Sequence, residues 1–168
     1  MSNEQIDIIG MGAALVDVFA DVTDADLDRL SLPKGAMTLI DTEASKALLD
    51  QINVHTSTAG GSAANTIAGT ASLGMSSGFI GKVANDPFGD VFAGDLSEMN
   101  IQLFGQPLNN ETPTGKCIVL ITPDAERTMN TLIGAAAFIT PEDLDENLLK
   151  QTKVFFAVSC AGVNAVRV

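Results

Sequence analysis

Two glycines and an asparagine around the start of a predicted helix are the strongest chemical signal in this sequence. Gly60 and Gly61 come directly before a small-residue helix that opens at Ser62, and Asn65 falls in its first turn. Glycines let a ligand approach the backbone, and the free N–H groups of a helix N-terminus donate hydrogen bonds to electron-rich oxygens. The Asn65 amide adds a donor and an acceptor. The same pattern is typical of a helix packed closely against a sheet, so the residues alone leave both interpretations open.

Asp17 is the second candidate, because it follows a glycine turn at the junction of two predicted strands. A carboxylate there can accept two hydrogen bonds from neighbouring hydroxyl groups of a sugar. An exposed turn aspartate is the alternative, and position alone favours it. Gly10 and Gly12 do not complete a dinucleotide-binding fingerprint, since Leu15 occupies the third motif position and a strand pattern follows. A nicotinamide-dependent oxidoreductase is therefore disfavoured.

Composition and charge argue against several other classes of function. The 168 residues include 21 acidic and 9 basic side chains, a net charge of −12 that repels nucleic acid and anionic membrane surfaces. His55, Cys117 and Cys160 do not stand in a metal-ligand spacing, so no metal site is predicted. The N-terminus lacks a signal-peptide pattern, and residues 54–81 are too rich in polar residues for a membrane span. We therefore expect a cytoplasmic protein that binds neither nucleic acid nor membrane.

The elements that must position the candidate residues alternate between strands and helices. Strands are predicted over residues 6–10, 16–22, 36–40, 54–58, 77–83, 116–122, 127–133 and 153–159. Helices are predicted over residues 24–30, 42–52 and 63–73, and from Asp86-Pro87 and Thr140-Pro141. This alternation predicts an α/β fold with a parallel sheet, to which residues 16–22, 36–40 and 102–133 add antiparallel pieces. No linker divides the chain into independent domains.

Several motifs in chain order resemble the ribokinase-like (PfkB) family of carbohydrate and nucleoside kinases. Residues 60–74 and then 79–89 resemble that family's first signature. Residues 12–17 are similar to its N-terminal substrate-binding element. Residues 113–117 and 126–130 resemble its lid-to-sheet segment, and are similar to adenosine kinases in particular.

The resemblance implies a three-layer αβα sandwich, truncated here, with a small β-sheet lid. The lid strands would come from about residues 16–22, 36–40 and 102–133, and residues 1–168 would be the N-terminal part of one ribokinase-like α/β domain. It also implies transfer of the ATP γ-phosphoryl group to a hydroxyl of a small-molecule sugar or nucleoside, with ATP and Mg²⁺ as cofactors. A homodimer through the lid sheet is compatible with this family.

The motif match also implies roles for individual residues. Asp17 would hold two sugar hydroxyls, and Asn65 would bind another. Gly60 and Gly61 would give the substrate close contact with the backbone. Three residues would form the lid-side wall of the site, although apolar residues there are also typical of simple core: Met37, Cys117 and Met129.

The family's second signature, which carries the glycine-rich anion hole and the catalytic aspartate, is absent from these 168 residues. No catalytic residue is therefore predicted, and the ATP site would be largely missing. The sequence predicts the substrate-binding half of an ATP-dependent sugar or nucleoside kinase, inactive as this chain. The alternative is a non-catalytic sugar- or nucleoside-binding or dimerisation module. The sequence leaves open which sugar or nucleoside is bound, how the shortened chain arose, and its oligomeric state.

Overall fold

The computed structural model describes residues 5–158, which form two β-sheets with helices packed against them. The strands are β1 (Ile8–Met11), β2 (Leu15–Asp21), β3 (Met37–Leu39), β4 (Val54–Gly60), β5 (Ser77–Ile80), β6 (Gln102–Phe104), β7 (Gly115–Ile121), β8 (Arg127–Leu132) and β9 (Val154–Ala157). The α-helices are α1 (Asp24–Leu30), α2 (Thr42–Leu49), α3 (Ser62–Ser72), α4 (Pro87–Glu98) and α5 (Glu146–Lys150). The predicted α/β fold with an additional β-sheet is confirmed, although the additional sheet has five strands and the first sheet has four.

The first sheet is parallel throughout, with the strand order β6-β5-β1-β9. Helix α3 packs against β1 and β5, and a side chain at Gly10 would overlap Ile67 of that helix. Ile67 of α3 and Phe79 of β5 are fully buried in one cluster with Phe92 of α4. The close approach that Gly10 permits therefore fixes the position of α3, whose N-terminus follows the two candidate glycines.

The second sheet, called the lid sheet below, has the strand order β3-β8-β7-β2-β4. The β2–β4 and β7–β8 pairs are antiparallel, whereas β2–β7 and β3–β8 are parallel. The expectation of antiparallel additions is therefore confirmed for β2–β4 and β7–β8 and wrong for β2–β7 and β3–β8. Between β2 and β7 the chain forms two strands of the first sheet, β5 and β6, and a crossover of this length permits parallel pairing.

Two strands differ in placement from the sequence-based expectation for the lid. Residues 102–104 lie within the range from which lid strands were expected, but β6 pairs in parallel with β5 in the first sheet. Strand β4 belongs to the lid sheet, where it pairs with β2. Its sequence, Val-His-Thr-Ser-Thr-Ala-Gly, has few apolar side chains and is therefore a weak strand pattern. This composition suits the exposed sheet edge at which β4 lies.

One face of the lid sheet is covered by helices. Val16, Val18 and Ala20 of β2 are fully buried on this face, in clusters with residues of α1, α2, α3 and α4. Because successive strand residues point to opposite faces, the residues between them, including Asp17, lie on the other face. Asp17 is half-buried there.

The predicted helix start at Asp86-Pro87 is confirmed. The Asp86 carboxylate caps α4 by accepting a hydrogen bond from the Gly89 N–H at 2.8 Å. Among the helices of residues 5–158, none combines the length and apolar character that a membrane crossing requires. Cys160 and the segment 159–168 lie outside the described residues, as does the end of the strand predicted over residues 153–159.

Candidate active site

The two candidate glycines lie where the chain passes from the lid sheet into α3. Gly61 precedes the helix with a φ of +95°, and a side chain there would come within 2.7 Å of the Ala13 carbonyl oxygen. Gly60 is buried, and a Cβ atom on it would overlap the carboxylate of Asp17, with Oδ1 at 2.7 Å. Both positions therefore require glycine because of close approach within the chain itself. The structure thus brings Asp17, Gly60 and Gly61 together.

Asp17 is held on β2 between β4 and β7, where it pairs in register with Thr58 and Cys117. Burial raises the pKa of the Asp17 carboxyl group, and the positive charge of Arg127 acts in the opposite direction. Within residues 5–158, no hydrogen-bond donor reaches this carboxylate, and desolvation and Arg127 account for its shift. A half-buried carboxylate without an internal donor is suited to accept hydrogen bonds from a bound ligand.

Helix α3 offers donors beside this carboxylate. In the described part of the chain, α3 is the α-helix without a side-chain N-cap, since Gly61 occupies the cap position. The first N–H groups of a helix have no intrahelical acceptor, so without a cap they stay available to a ligand. Asn65 lies in the first turn, where its N–H donates to the Gly61 carbonyl at 2.9 Å and its side chain is exposed. That Asn65 and Asp17 face one cavity stays a prediction.

The three wall residues lie on the same face of the lid sheet as Asp17. Cys117 is directly opposite Asp17, and Met37 pairs with Met129 on the neighbouring strands. The burial of these residues differs: Cys117 is 8% exposed, Met129 is half-buried and Met37 is 57% exposed. Burial raises the pKa of the Cys117 thiol, which accepts a hydrogen bond from the Thr131 hydroxyl at 3.4 Å. Met37 is therefore the most accessible of the three.

Arg127 is a residue of this face that the sequence analysis did not single out. It is exposed on β8, and strand alternation places it on the same face as Met129. Its positive charge partly offsets the rise in the Asp17 pKa that burial causes. The signal was available, because Arg127 stands in the motif at residues 126–130, two positions before Met129.

Helix α4 holds the strands on either side of β2 through two carboxylates. Asp86 accepts a hydrogen bond from the Thr114 N–H, directly before β7, at 2.8 Å. Asp95 accepts hydrogen bonds from the Thr58 hydroxyl at 2.8 Å and the Ala59 N–H at 2.6 Å, both on β4. Nothing in the sequence singles out Asp95, because a single acid on an amphipathic helix ordinarily faces solvent.

The donor set of a divalent cation is not found in the described part of the chain. No three His, Cys, Asp or Glu side chains within residues 5–158 converge as a metal site requires. No residue of this part of the chain is therefore assigned to Mg²⁺.

Known proteins are similar to this chain in fold and in sequence. Residues 35–163 match the model of the pfkB family carbohydrate kinases. The chain is 32% identical over 160 residues to adenosine kinase of Saccharomyces cerevisiae, which covers 89% of this chain and 46% of that protein. It is 34% identical over 98 residues to probable fructokinase-7 of Arabidopsis thaliana, covering 57% of this chain and 29% of that protein. The crystal structure of adenosine kinase from Sinorhizobium meliloti superposes with a TM-score of 0.82 at 35% identity, covering 91% of this chain and 47% of that one.

The architecture is thus a truncated ribokinase-like αβα fold with a β-sheet lid. The chain belongs to the pfkB family of carbohydrate kinases, as its motifs predicted. It spans less than half the length of each of these relatives.

Proposed function

We propose that this chain is the substrate-binding half of an ATP-dependent kinase that phosphorylates a hydroxyl of a ribose-like sugar or nucleoside. The observation that carries the proposal is the half-buried Asp17 carboxylate, which accepts no hydrogen bond from residues 5–158 and lies against Gly60. A sugar hydroxyl can donate to this carboxylate and at the same time accept from an N–H group of the uncapped α3 N-terminus. The Asp17 carboxylate and the N–H groups of α3 together are complementary to the two hydroxyls of a diol.

Each predicted residue has a role in this proposal. Asp17 accepts hydrogen bonds from two neighbouring hydroxyls, and Asn65 binds a third. Gly60 makes room for the Asp17 carboxylate, and Gly61 leaves the first N–H groups of α3 without a side-chain cap. Apolar atoms of the ligand lie against three residues of the lid face: Met37, Cys117 and Met129.

A nucleoside is the favoured substrate, with adenosine as the first candidate. The similarity to adenosine kinase of S. cerevisiae extends over 89% of this chain, compared with 57% for the Arabidopsis fructokinase. The exposed Met37 side chain supplies an apolar surface suited to a nucleobase. Free sugars remain the alternative, since the diol contacts are common to both.

The chain alone is proposed not to catalyse phosphoryl transfer. When bound, ATP with Mg²⁺ supplies the phosphoryl group, and the reaction needs donors for its developing charge and a base for the acceptor hydroxyl. The family signature with the anion hole and catalytic aspartate is absent from the sequence, so the ATP site is proposed to be largely missing. An assay of ATP consumption with adenosine, ribose and fructose is expected to give no turnover. Turnover that Asp17→Ala abolishes would contradict this part of the proposal.

The absence of the second signature equally favours a non-catalytic binding or dimerisation module. Strand β3 lies at one edge of the lid sheet, where Met37 and Leu39 are 57% and 55% exposed. A homodimer through the lid sheet would cover these side chains. A cytoplasmic location also belongs to the proposal, supported by the free thiol of Cys117, which suits a reducing compartment.

Isothermal titration calorimetry of the 168-residue chain with adenosine, ribose and fructose tests the binding proposal. Asp17→Asn removes a charged acceptor, so affinity should fall by about 1.5–3 kcal/mol, or roughly 10- to 150-fold in Kd. Asp28→Asn is the matched control, because Asp28 is exposed on α1 and its side chain has no hydrogen-bond partner within residues 5–158. Binding that is unchanged by Asp17→Asn would remove Asp17 from the site.

A further inference from the structure

We infer that Asp95 of helix α4 is a positioning residue for the Asp17 site. It acts through the edge strand β4, which it fixes beside Asp17. The part of this inference that concerns substrate affinity rests on the proposed function, whereas the part that concerns the geometry around Asp17 does not.

The Asp95 carboxylate is committed to β4. Its Oδ2 atom accepts hydrogen bonds from the Thr58 hydroxyl at 2.8 Å and from the Ala59 N–H at 2.6 Å. Asp95 is half-buried, and no basic side chain of residues 5–158 forms an ion pair with it. Hydrogen bonds to an ionised acceptor are among the stronger ones in proteins. The carboxylate therefore serves as an anchor for this strand.

The position of β4 explains why it needs an anchor. It is an edge strand of the lid sheet, paired on one side with β2. The N–H groups on the free side of an edge strand have no partner within the sheet. The Ala59 N–H is satisfied instead by Asp95, which takes the place of a further strand.

The anchored residues are the ones that form the surroundings of Asp17. Thr58 pairs in register with Asp17, and Gly60, two residues further on, lies against the Asp17 carboxylate. A shift of β4 away from β2 would therefore open the Asp17 carboxylate to water.

The same helix holds the strand on the other side of β2. Asp86, at the N-terminus of α4, accepts a hydrogen bond from the Thr114 N–H at the start of β7. Asp86 is the N-cap residue of α4 and Asp95 lies nine residues further along the chain, so the two carboxylates contact the two strands at different points of the helix. Helix α4 thus forms hydrogen bonds with both strands that flank β2. Asp95 contacts β4, the strand that lies against the Asp17 carboxylate.

A ligand-free measurement tests the geometric part: the pKa of Asp17, followed by NMR titration of its carboxyl carbon in the 168-residue chain. Asp95→Ala removes the acceptor, so water reaches Asp17 and its raised pKa should fall toward the ordinary value. Asp95→Ala also removes a negative charge, but the causes of the Asp17 pKa shift are burial and the Arg127 charge, so the loss of the Asp95 charge alone should change it little. Asp95→Asn separates the two effects, because it removes the charge but keeps an oxygen that can accept from Ala59.

We expect Asp95→Asn to leave the Asp17 pKa near the wild-type value and Asp95→Ala to lower it. Asp90→Ala is the matched control, since Asp90 is an exposed acid of the same helix whose side chain has no hydrogen-bond partner within residues 5–158. Arg127 and Cys117, the other titratable groups that interact with Asp17, are unchanged in all three variants.

Two results would overturn the inference. Equal shifts in Asp95→Asn and Asp95→Ala would mean that charge alone acts on Asp17. A loss of stability in Asp95→Ala without any change of the Asp17 pKa would mean that Asp95 only supports the fold. If Asp95→Ala does not fold, Thr58→Val removes one of the two hydrogen bonds and should shift the pKa in the same direction by a smaller amount.

Adenosine affinity, measured by calorimetry, supplies the second readout. Asp95→Ala should weaken adenosine binding about tenfold, which corresponds to the loss of about one hydrogen bond between the ligand and the Asp17 carboxylate. The adenosine affinity of Asp95→Asn and of Asp90→Ala should stay near the wild-type value. If the wild-type chain binds neither adenosine, ribose nor fructose, the proposed function fails, and the Asp17 titration still decides the role of Asp95. If the wild type binds and Asp95→Ala binds equally well, the positioning role is wrong.

Discussion

Replacement of Gly60 by alanine is the most direct test of how the Asp17 carboxylate is seated. A Cβ atom at position 60 would overlap the Asp17 side chain, with Oδ1 at 2.7 Å and the other carboxyl atoms closer still. No strained backbone angle contributes, because Gly60 is not among the residues with positive φ. The effect of the added methyl group therefore reports on the space that Asp17 occupies.

The size of the effect depends on which group moves. If Asp17 stays in place, overpacking should lower the free energy of unfolding by about 1–3 kcal/mol. If its side chain rotates away, stability is largely retained but the carboxylate leaves the site, and adenosine affinity should fall as in Asp17→Asn. Gly60→Ala should therefore lower either the free energy of unfolding or the adenosine affinity, although alanine in a strand is ordinarily more stable than glycine by about 0.5–1 kcal/mol.

A double-mutant cycle with Asp17→Ala, followed by urea denaturation and calorimetry, isolates the contact. Once Asp17 is truncated, Gly60→Ala should be neutral or stabilising, which gives a coupling of about 1–3 kcal/mol between the two sites. Gly94→Ala is the control, since Gly94 is exposed on α4 with nothing within 4 Å of a Cβ atom; it should stabilise by about 0.5–1 kcal/mol. A cost for Gly60→Ala that is the same with and without Asp17 would refute the steric reasoning.

Two further predictions concern charged residues. Arg127→Gln should raise the pKa of Asp17 further, since the Arg127 charge lowers it; because the folded-state pKa already lies above the unfolded one, the Asp17 contribution to stability should then fall over a wider range as pH rises. An NMR titration measures the shift, and an unchanged pKa would place Arg127 outside the field of Asp17. Lys82→Met should lower the free energy of unfolding by about 1–3 kcal/mol, because the partly buried Asp143 loses its cation, 2.8 Å away, and keeps, within residues 5–158, only its hydrogen bonds from Thr140. The double variant with Asp143→Leu should lose less than the single one in chemical denaturation, and equal losses would show that the ion pair is not the cause.

The parts of the fold with strong local signals were predicted from sequence. The capping aspartate and proline at residues 86 and 87 define the start of α4 without reference to the rest of the molecule. The helix that opens at Ser62 was predicted in the same way, because small residues follow a glycine pair. In both cases the information lies within a few neighbouring residues, and the structure agrees.

The pairing of the strands could not be predicted in this way. Strand β4 has an exposed pattern of Thr and Ser that fits a loop as well as a strand, and its place in the lid sheet depends on β2 and on Asp95, both distant in sequence. The parallel β2–β7 pair joins residues about a hundred positions apart. Such pairings depend on how the whole chain returns to the sheet, which local patterns do not encode.

The structure also changes which residue points to a ligand. The sequence left two interpretations of Gly60 and Gly61, a binding loop or a close-packed helix start. Their contacts with Asp17 and with the Ala13 carbonyl explain both glycines by packing within the chain. Glycines at these positions would be required even if nothing were bound. The burial of Asp17, by contrast, is not explained by packing. Its carboxylate is half-buried with a raised pKa and accepts no hydrogen bond from residues 5–158, which costs free energy. An external group that donates hydrogen bonds to it would remove that cost, so Asp17, rather than the glycine motif, points to a hydroxyl-bearing substrate.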